Sequence, residues 1–185
     1  MLVVLDACVL YPPSLRDLLL TLASLDAFDV RWSEEILDEL RRNVLADNPD
    51  IAPDRFVAHT IGAMRSAFPD ALVIGFESWI ERLDNDPKDR HVAAVAMVTG
   101  AQAIVTLDMG DFESAVLADA AVRVVTPGTF VDELIDAEPG LVAAAVADLA
   151  ARWQRPTRTV DEILDLLARH PTMDRPIQRV RHLMA

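Results

Sequence analysis

Two acidic side chains stand directly beyond apolar segments that read as core strands. Asp6 follows the run Leu2–Leu5, and Asp108 follows the predicted strand Ala103–Thr106. In open α/β sheets the active crevice lies outside the carboxyl ends of the strands, so these two carboxylates could share a cation there. Taken alone, Asp6 is equally well explained as an acid that hydrogen-bonds its own turn.

A third acid lies on a predicted helix, residues 33 to about 45, whose buried stripe includes Ile36 and Leu40. At 100° per residue, Glu39 falls about 60° from Ile36, on the margin of that stripe. A side chain there can point into a crevice beside the core. The alternative, which is favoured for Glu39 alone, is a rim glutamate paired with Arg42 or Asn43.

Three aspartates crowd the start of another predicted helix, in the stretch LDNDPKDRHVAAVAM. Asp84, Asp86 and Asp89 repel one another, and the positive end of the helix dipole offsets only part of that repulsion. Helix capping accounts for one of the three acids and leaves the other two unexplained.

The stretch IVTLDMGDFE places Thr106, Asp108 and Asp111 just beyond a predicted strand. Asp108 is placed to bind a metal, and Asp111 either caps a short helical turn or supports Asp108 from outside the ligand set. The Thr106 hydroxyl could hold a water or a phosphate. A plain surface loop is the alternative, but loops at this edge of a parallel sheet are where sites are built.

The four acids Asp6, Glu39, Asp89 and Asp108 therefore lie on separate segments that can meet at one sheet edge. Clustered carboxylates raise one another's pKa unless a cation is shared among them. Ligation by oxygen alone favours Mg²⁺ or Mn²⁺. Cys8 and the four histidines show no zinc-ligand spacing, so Cys8 is expected to be a small buried residue.

Bulk composition narrows the class of protein further. The chain has 185 residues, 52% of them hydrophobic, which is enough for one core. It has one cysteine and no apolar run long enough to span a membrane, so a cytoplasmic protein is expected. The net charge of −13, made of −16 over residues 1–151 and +3 over residues 152–185, argues against broad nonspecific nucleic-acid binding.

The order of elements predicts an α/β fold in which helices flank a parallel sheet. Strands are predicted near residues 3–5, 30–32, 72–74, 103–106 and 122–125, the third of them weakly. Helices are predicted near residues 15–25, 33–45, 53–68, 89–99 and 127–135. Two more helices, near 141–153 and 160–168, are expected in an all-helical remainder. The expected division is an α/β sheet domain over residues 1–136 and a helical extension over 137–185.

These stretches, VVLDACVLYP, SEEILDELRR, DPKDRHVAAVA and AIVTLDMGDF, resemble in order and spacing the PIN-domain ribonucleases, specifically the VapC-type toxins of bacterial toxin–antitoxin pairs. The resemblance covers residues 1 to about 136 and implies a PIN-like three-layer sandwich. It also implies that Asp6, Glu39, Asp89 and Asp108 are the catalytic, metal-binding acids. Asp86 competes with Asp89 for the third position, and Asp111 and Thr106 are possible accessory residues. The stretch beyond 137 resembles the extension of longer members.

The resemblance implies a Mg²⁺- or Mn²⁺-dependent endoribonuclease that cleaves structured transfer or ribosomal RNA and inhibits translation. It also implies a cognate antitoxin whose basic segment covers the acids, and a homodimer. Candidate contacts to the RNA backbone are basic side chains near the motifs; their alternative is ordinary surface ion pairing. They are Arg16, Arg41, Arg42, Lys88 and Arg90.

Other functions fit the residues less well. A dehalogenase-type phosphatase needs a second acid two residues after Asp6, where Cys8 stands, and a receiver domain needs a late lysine, whereas the only lysine is Lys88. A catalytically degenerate PIN-like module that binds a protein or RNA without cleavage stays open. The extension carries the closely spaced Arg152, Arg155 and Arg158, which makes RNA contact by this segment a testable alternative.

Overall fold

The computed structural model describes residues 1–153 and 157–184. Its centre is a four-stranded sheet with the order β2-β1-β3-β4, in which all neighbouring strands are parallel. The strands are β1 (Leu2–Leu5), β2 (Asp29–Arg31), β3 (Ala103–Val105) and β4 (Arg123–Val125). The predicted parallel α/β sheet is confirmed.

Twelve α-helices lie within the described residues. They are α1 (Ala7–Leu10), α2 (Pro13–Ser24), α3 (Glu34–Asp47), α4 (Pro53–Phe56), α5 (Gly62–Ala67), α6 (Glu77–Ile80), α7 (Arg90–Thr99), α8 (Ala115–Asp119), α9 (Pro127–Ala137), α10 (Pro139–Arg152), α11 (Val160–Leu167) and α12 (Asp174–Met184).

The two inner strands are apolar on both faces because helices cover both faces of the sheet. Val3, Val4 and Leu5 of β1 are fully buried, as is all of β3. Runs of this kind are typical of parallel sheets. Since β1 and β3 are adjacent and parallel, their carboxyl ends bring Asp6 and Thr106 to the same edge.

Two predicted elements differ in the structure. Residues 72–74 form no strand; the segment makes one isolated bridge, between Trp32 and Leu72, and Ile74 is 80% exposed. Because residues 72–74 do not lie between two strands, their apolar side chains do not produce a further strand of the sheet. The helix predicted over 53–68 is interrupted by a π-helical stretch, Val57–Ile61, between α4 and α5.

The C-terminal helices pack onto the sheet domain. α10 lies against α2, and α12 lies against α9. Ser14 and His170 join the two parts through an Oγ–Nε2 contact of 2.7 Å. The predicted pair of helices is α10 and α11, and α12 is a third helix that the sequence pattern did not reveal. Of the three clustered arginines, Arg155, together with the adjacent Pro156, lies outside the described residues.

Candidate metal centre

Asp6 occupies the junction between β1 and α1, where it caps the helix. Its side chain is only 3% exposed, and its Oδ1 accepts a hydrogen bond of 2.6 Å from the Ala7 backbone N–H. The backbone N–H of Asp6 donates to the Val105 carbonyl of β3, which ties it to the neighbouring strand. Burial raises the pKa of Asp6, and the charge of Glu39 adds to that rise. Asp6 is therefore an acid that caps its own turn, and its role as a metal ligand in the crevice stays a prediction.

The second oxygen of Asp6 is held by two side chains. Thr106, which is fully buried, donates its hydroxyl to Oδ2 at 2.8 Å, and the Cys8 thiol lies 3.1 Å from the same oxygen. Both contacts lower the pKa of Asp6 and so partly offset burial. Thr106 thus orients Asp6, and its binding of a water or a phosphate stays a prediction.

Cys8 is a site residue that sequence reasoning missed. Its sulfur also accepts a hydrogen bond of 3.2 Å from the Leu107 backbone N–H, so it links α1 to the loop after β3. Burial and the charge of Asp6 raise the pKa of the thiol far above its usual range. Cys8 therefore stays a neutral donor. Its position two residues after Asp6 was the only available signal.

Glu39 projects from α3 toward α7, where it meets His91. The helix begins with Ser33, whose hydroxyl accepts from the Ile36 backbone N–H, and this cap fixes the register that leaves Glu39 half-buried. His91 Nε2 lies 3.5 Å from Glu39 Oε2, and Nδ1 lies 2.8 Å from the Lys88 carbonyl. The contact with His91 lowers the pKa of Glu39, against burial, which raises it.

His91 is the second residue that sequence reasoning missed. Burial lowers its pKa, but the contact with Glu39 and the hydrogen bond to the Lys88 carbonyl outweigh burial and raise it overall. A histidine two residues after an acid at a helix start has no distinctive spacing, so only the packing of α3 against α7 reveals it.

Asp89 is the residue immediately before α7, at the helix N-terminus. Burial raises its pKa to about 6, and the charges of Asp6, Asp111 and Glu39 contribute to that rise. Asp89 therefore lies within electrostatic range of the other three carboxylates. We refer to Asp6, Glu39, Asp89, Asp111 and His91 as the acidic edge.

Of the two aspartates in the loop after β3, Asp111 is the one whose charge raises the pKa of Asp89. Asp108 is exposed, and its backbone N–H donates to the Thr106 hydroxyl at 3.0 Å. The Asp111 carbonyl accepts from the backbone N–H of Asp86. The Asp86 carboxylate accepts from the Lys88 backbone N–H at 2.9 Å, which makes it a turn residue. Asp108 as a metal ligand stays a prediction, with Asp111 as its nearest competitor.

The basic residues predicted to contact RNA fall into two groups. Arg41 pairs with Asp38 at 3.2 Å, the Arg90 guanidinium donates to the Asn85 carbonyl at 3.1 Å, and Arg42 acts on Glu39 by its charge. Lys88 is exposed beside the acidic edge. Arg16 lies apart, with 11% of its side chain exposed, against α1.

The donor set of the acidic edge fits a hard divalent cation. Carboxylate oxygens are the ligands that Mg²⁺ and Mn²⁺ prefer. Burial and neighbouring negative charges raise the pKa of Asp89, and a bound cation would offset both effects. Within residues 1–153 and 157–184, no three His, Cys, Asp or Glu side chains converge closely enough to hold a metal ion as they stand. The type of donor atom therefore suits a divalent cation, but the side chains must move closer together to bind it.

Comparison with known proteins agrees with this architecture. The family model described as PIN domain matches residues 2–110, and that described as VapC50 C-terminal domain matches residues 127–172. No curated protein and no solved structure gives a significant match. None of the helices in the described part of the chain is long and apolar enough to cross a membrane.

The matched families indicate the general activity. Proteins with PIN and VapC domains are generally nucleases, and PIN domains typically use divalent metal ions. The first match covers more than half of the chain and contains Asp6, Glu39, Asp89 and Asp108. The second match begins within the sheet domain, at the start of α9, and ends before α12. The chain belongs to the PIN-domain family, as a VapC-type toxin with a C-terminal extension.

Proposed function

We propose that the protein is a Mg²⁺- or Mn²⁺-dependent endoribonuclease, the toxin of a toxin–antitoxin pair that inhibits translation in the cytoplasm by cutting structured transfer or ribosomal RNA. The single observation that carries the proposal is the environment of Asp89 at one end of the sheet, where burial first, and then the charges of Asp6, Asp111 and Glu39, raise its pKa to about 6. A carboxyl group perturbed in this way by burial and by specific neighbouring charges marks a functional site more often than a structural one.

Asp6, Glu39 and Asp89 would hold the metal, with Asp108 or Asp111 completing the set. A bound divalent cation supplies an activated water and neutralises charge on the scissile phosphate. Thr106 and Cys8 keep Asp6 in one orientation through its Oδ2. His91 steadies Glu39 from the side of α7. These supporting contacts keep the carboxylates from rotating away from the position that the cation needs.

The expected partners follow from the charge of the site. An acidic edge without metal repels RNA and attracts a basic peptide, so an antitoxin with a basic segment is the proposed inhibitor. A homodimer is the proposed state of the free toxin.

The test is cleavage of RNA by the purified protein with Mg²⁺ or Mn²⁺, with and without EDTA, beside Asp6→Ala, Asp89→Ala and the exposed control Asp119→Ala. We expect EDTA to abolish cleavage and added metal to restore it. The two site variants should lose about 100-fold or more, the scale of one lost charge-stabilising group, and the control should match the wild type. Cleavage in EDTA, or full activity in both site variants, contradicts the mechanism. RNA binding without cleavage by the wild type supports the degenerate module instead.

A further inference from the structure

A groove away from the acidic edge separates the sheet domain from the C-terminal helices. It has a volume of about 730 Å³, within the range of small-molecule pockets. One wall is α2, the second is the region from His59 to Phe68, and the third is the end of α10 with Arg152 and Trp153. The extension thus completes a concavity that the sheet domain alone would leave open. We call it the α2–α10 groove.

The lining combines guanidinium groups with aromatic rings. Arg16 and Arg152 contribute the charge, and Trp153, Phe68 and His59 contribute rings. Phosphates bind guanidinium groups, and unpaired bases stack on aromatic side chains. Hydroxyls of Ser24, Thr60 and Thr21 add polar partners along the same walls.

The groove lacks the excess of negative charge that the whole chain, at −13, carries. Asp17 is the acidic residue among the lining side chains, and burial raises its pKa, while the charges of Arg16 and Arg152 lower it. Arg16 pairs with Asp17 and Arg152 with Asp148, so the two arginines are balanced by two carboxylates. The groove therefore repels a polyanion less than the acidic remainder of the chain does.

Both arginines are held against the walls before any ligand arrives. Arg16 Nη1 donates to the Leu10 carbonyl at 3.1 Å, and its Nε lies 3.5 Å from Asp17 Oδ1. Arg152 Nη2 donates to the Thr21 hydroxyl at 2.5 Å and lies 2.8 Å from Asp148 Oδ2. Side chains that are already ordered lose less conformational entropy on binding. Arg152 still has 57% of its side chain exposed, which leaves it accessible to a phosphate.

The groove and the acidic edge lie near opposite ends of α1. Asp6 caps the start of this four-residue helix, and Leu10 at its end accepts the hydrogen bond from Arg16. At 1.5 Å of rise per residue, α1 spans about 6 Å, roughly the spacing of one nucleotide along a strand. A strand bound at Asp6 therefore needs little length to reach Arg16.

We propose that the α2–α10 groove binds an unpaired segment of the RNA substrate, with a phosphate on the exposed Arg152 and a base stacked on Trp153. The inference rests on the proposed ribonuclease function and assigns a role in substrate binding to the C-terminal extension. Recognition by stacking and phosphate contacts suits single-stranded loops, whose bases are free to splay outward. A protein segment bound in the groove instead is the competing outcome.

The test measures binding of a fluorescein-labelled, single-stranded oligoribonucleotide by anisotropy, in the Asp6→Asn background so that the RNA stays intact. Arg152→Ala and Trp153→Ala are compared with Arg169→Ala, which removes an exposed arginine from the same extension. We expect each groove variant to weaken binding about 5- to 100-fold, as loss of one stacked base or phosphate contact does. Arg169→Ala should bind as the parent does. Thermal unfolding of each variant shows whether a loss of binding comes from misfolding, and Arg152→Lys should recover part of the affinity because it restores the charge.

Two further readouts separate the contacts. Arg152→Ala should reduce the slope of log affinity against log salt by about 1, whereas Trp153→Ala should leave it unchanged. In a Trp79→Phe background, RNA should quench the fluorescence of Trp153, because the remaining indole, Trp32, is fully buried.

Unchanged affinity in both groove variants overturns the inference. If the wild type then cleaves RNA with metal, the proposed function stands and only the groove assignment fails, which leaves a protein segment as its occupant. If the wild type neither binds nor cleaves RNA, both proposals fail.

Discussion

At the residue scale, the acids could be predicted from the sequence but their supporting contacts could not. Asp6 was identifiable because it follows a buried strand, and Asp89 because it is one of three acids at a helix start where capping explains only one. Their role as metal ligands stays a prediction. Cys8 and His91 were not identifiable, because a thiol and an imidazole have no characteristic spacing relative to acids on other segments. Their contacts with Asp6 and Glu39 exist only once β1 meets β3 and α3 meets α7.

In the metal-free protein, the charged form of Asp89 should destabilise the folded state. Its folded-state pKa, about 6, lies above the ordinary value of 3.8. The folded protein therefore binds a proton more tightly than the unfolded chain, and the resulting stability is present below about pH 4 and lost as the pH rises through about 6. Asp89→Asn removes the charge, so we expect it to raise the melting temperature of the metal-free protein near neutral pH by at least ~2 °C.

The same substitution should have little effect near the acidic end of this range, where Asp89 is already protonated. Calorimetry of wild type, Asp89→Asn and Asp119→Asn across the range measures the difference. A constant effect of Asp89→Asn at all pH values, or a destabilisation near neutral pH, is incompatible with a repelled carboxylate.

At the element scale, the parallel sheet was predictable because buried parallel strands need apolar residues on both faces, and β1 and β3 have them. The segment 72–74 has a similar composition but lies beyond the sheet edge, where one bridge to Trp32 is its whole contribution. Local composition does not indicate with how many neighbouring strands a segment will pair. The register of α3 was predictable from Ser33, since its hydroxyl caps the helix that carries Glu39.

The contact between α9 and the loop before α12 depends on the absence of a side chain at position 128. A Cβ at Gly128 would lie 1.9 Å from the Thr172 carbonyl oxygen. The Gly128 backbone N–H also donates to the Thr172 hydroxyl at 3.0 Å, and Thr172 itself has a positive φ of 68°. The backbones of Gly128 and Thr172 are therefore in close contact and are joined by a hydrogen bond.

Gly128→Ala should destabilise the protein by about 1–3 kcal/mol or more, the cost of overpacking a closed contact. Gly140→Ala is the matched control, because no heavy atom lies within 4 Å of its Cβ position at the start of α10. We expect that control to be neutral or slightly stabilising, since alanine favours helix over glycine. Equal urea midpoints for the two variants would show that the approach of Thr172 to α9 contributes nothing to stability.

At the scale of the whole molecule, the sequence indicated a helical extension but not where it docks. Composition alone shows that α10 and α11 carry apolar faces. It does not show that α10 packs on α2 or that His170 reaches Ser14. These contacts depend on long-range packing, and they create the α2–α10 groove, which no local sequence pattern predicts. The division at residue 136 stays a prediction.

Removal of residues 137–185 should expose apolar side chains that the extension covers. Val142, Ala145, Val146 and Ile163 are fully buried, so their partners on α2 and α9 would face solvent without them. We expect the truncated chain to aggregate or to unfold at a clearly lower urea concentration than the full chain, because large exposed apolar patches are not tolerated in a monomer. A soluble truncated chain with an unchanged urea midpoint would show that the sheet domain is independent of the extension.

The central claim is that the acidic edge binds a divalent cation, and calorimetric titration of Mn²⁺ into the RNA-free protein tests it most directly. We predict saturable binding near neutral pH that weakens as the pH falls through about 6, where Asp89 takes up a proton. Asp6→Asn and Asp89→Asn should each weaken binding about 10- to 100-fold, whereas Asp119→Asn should bind as the wild type does. Absence of Mn²⁺ binding by the wild type, or equal affinity in all four proteins, would contradict the account.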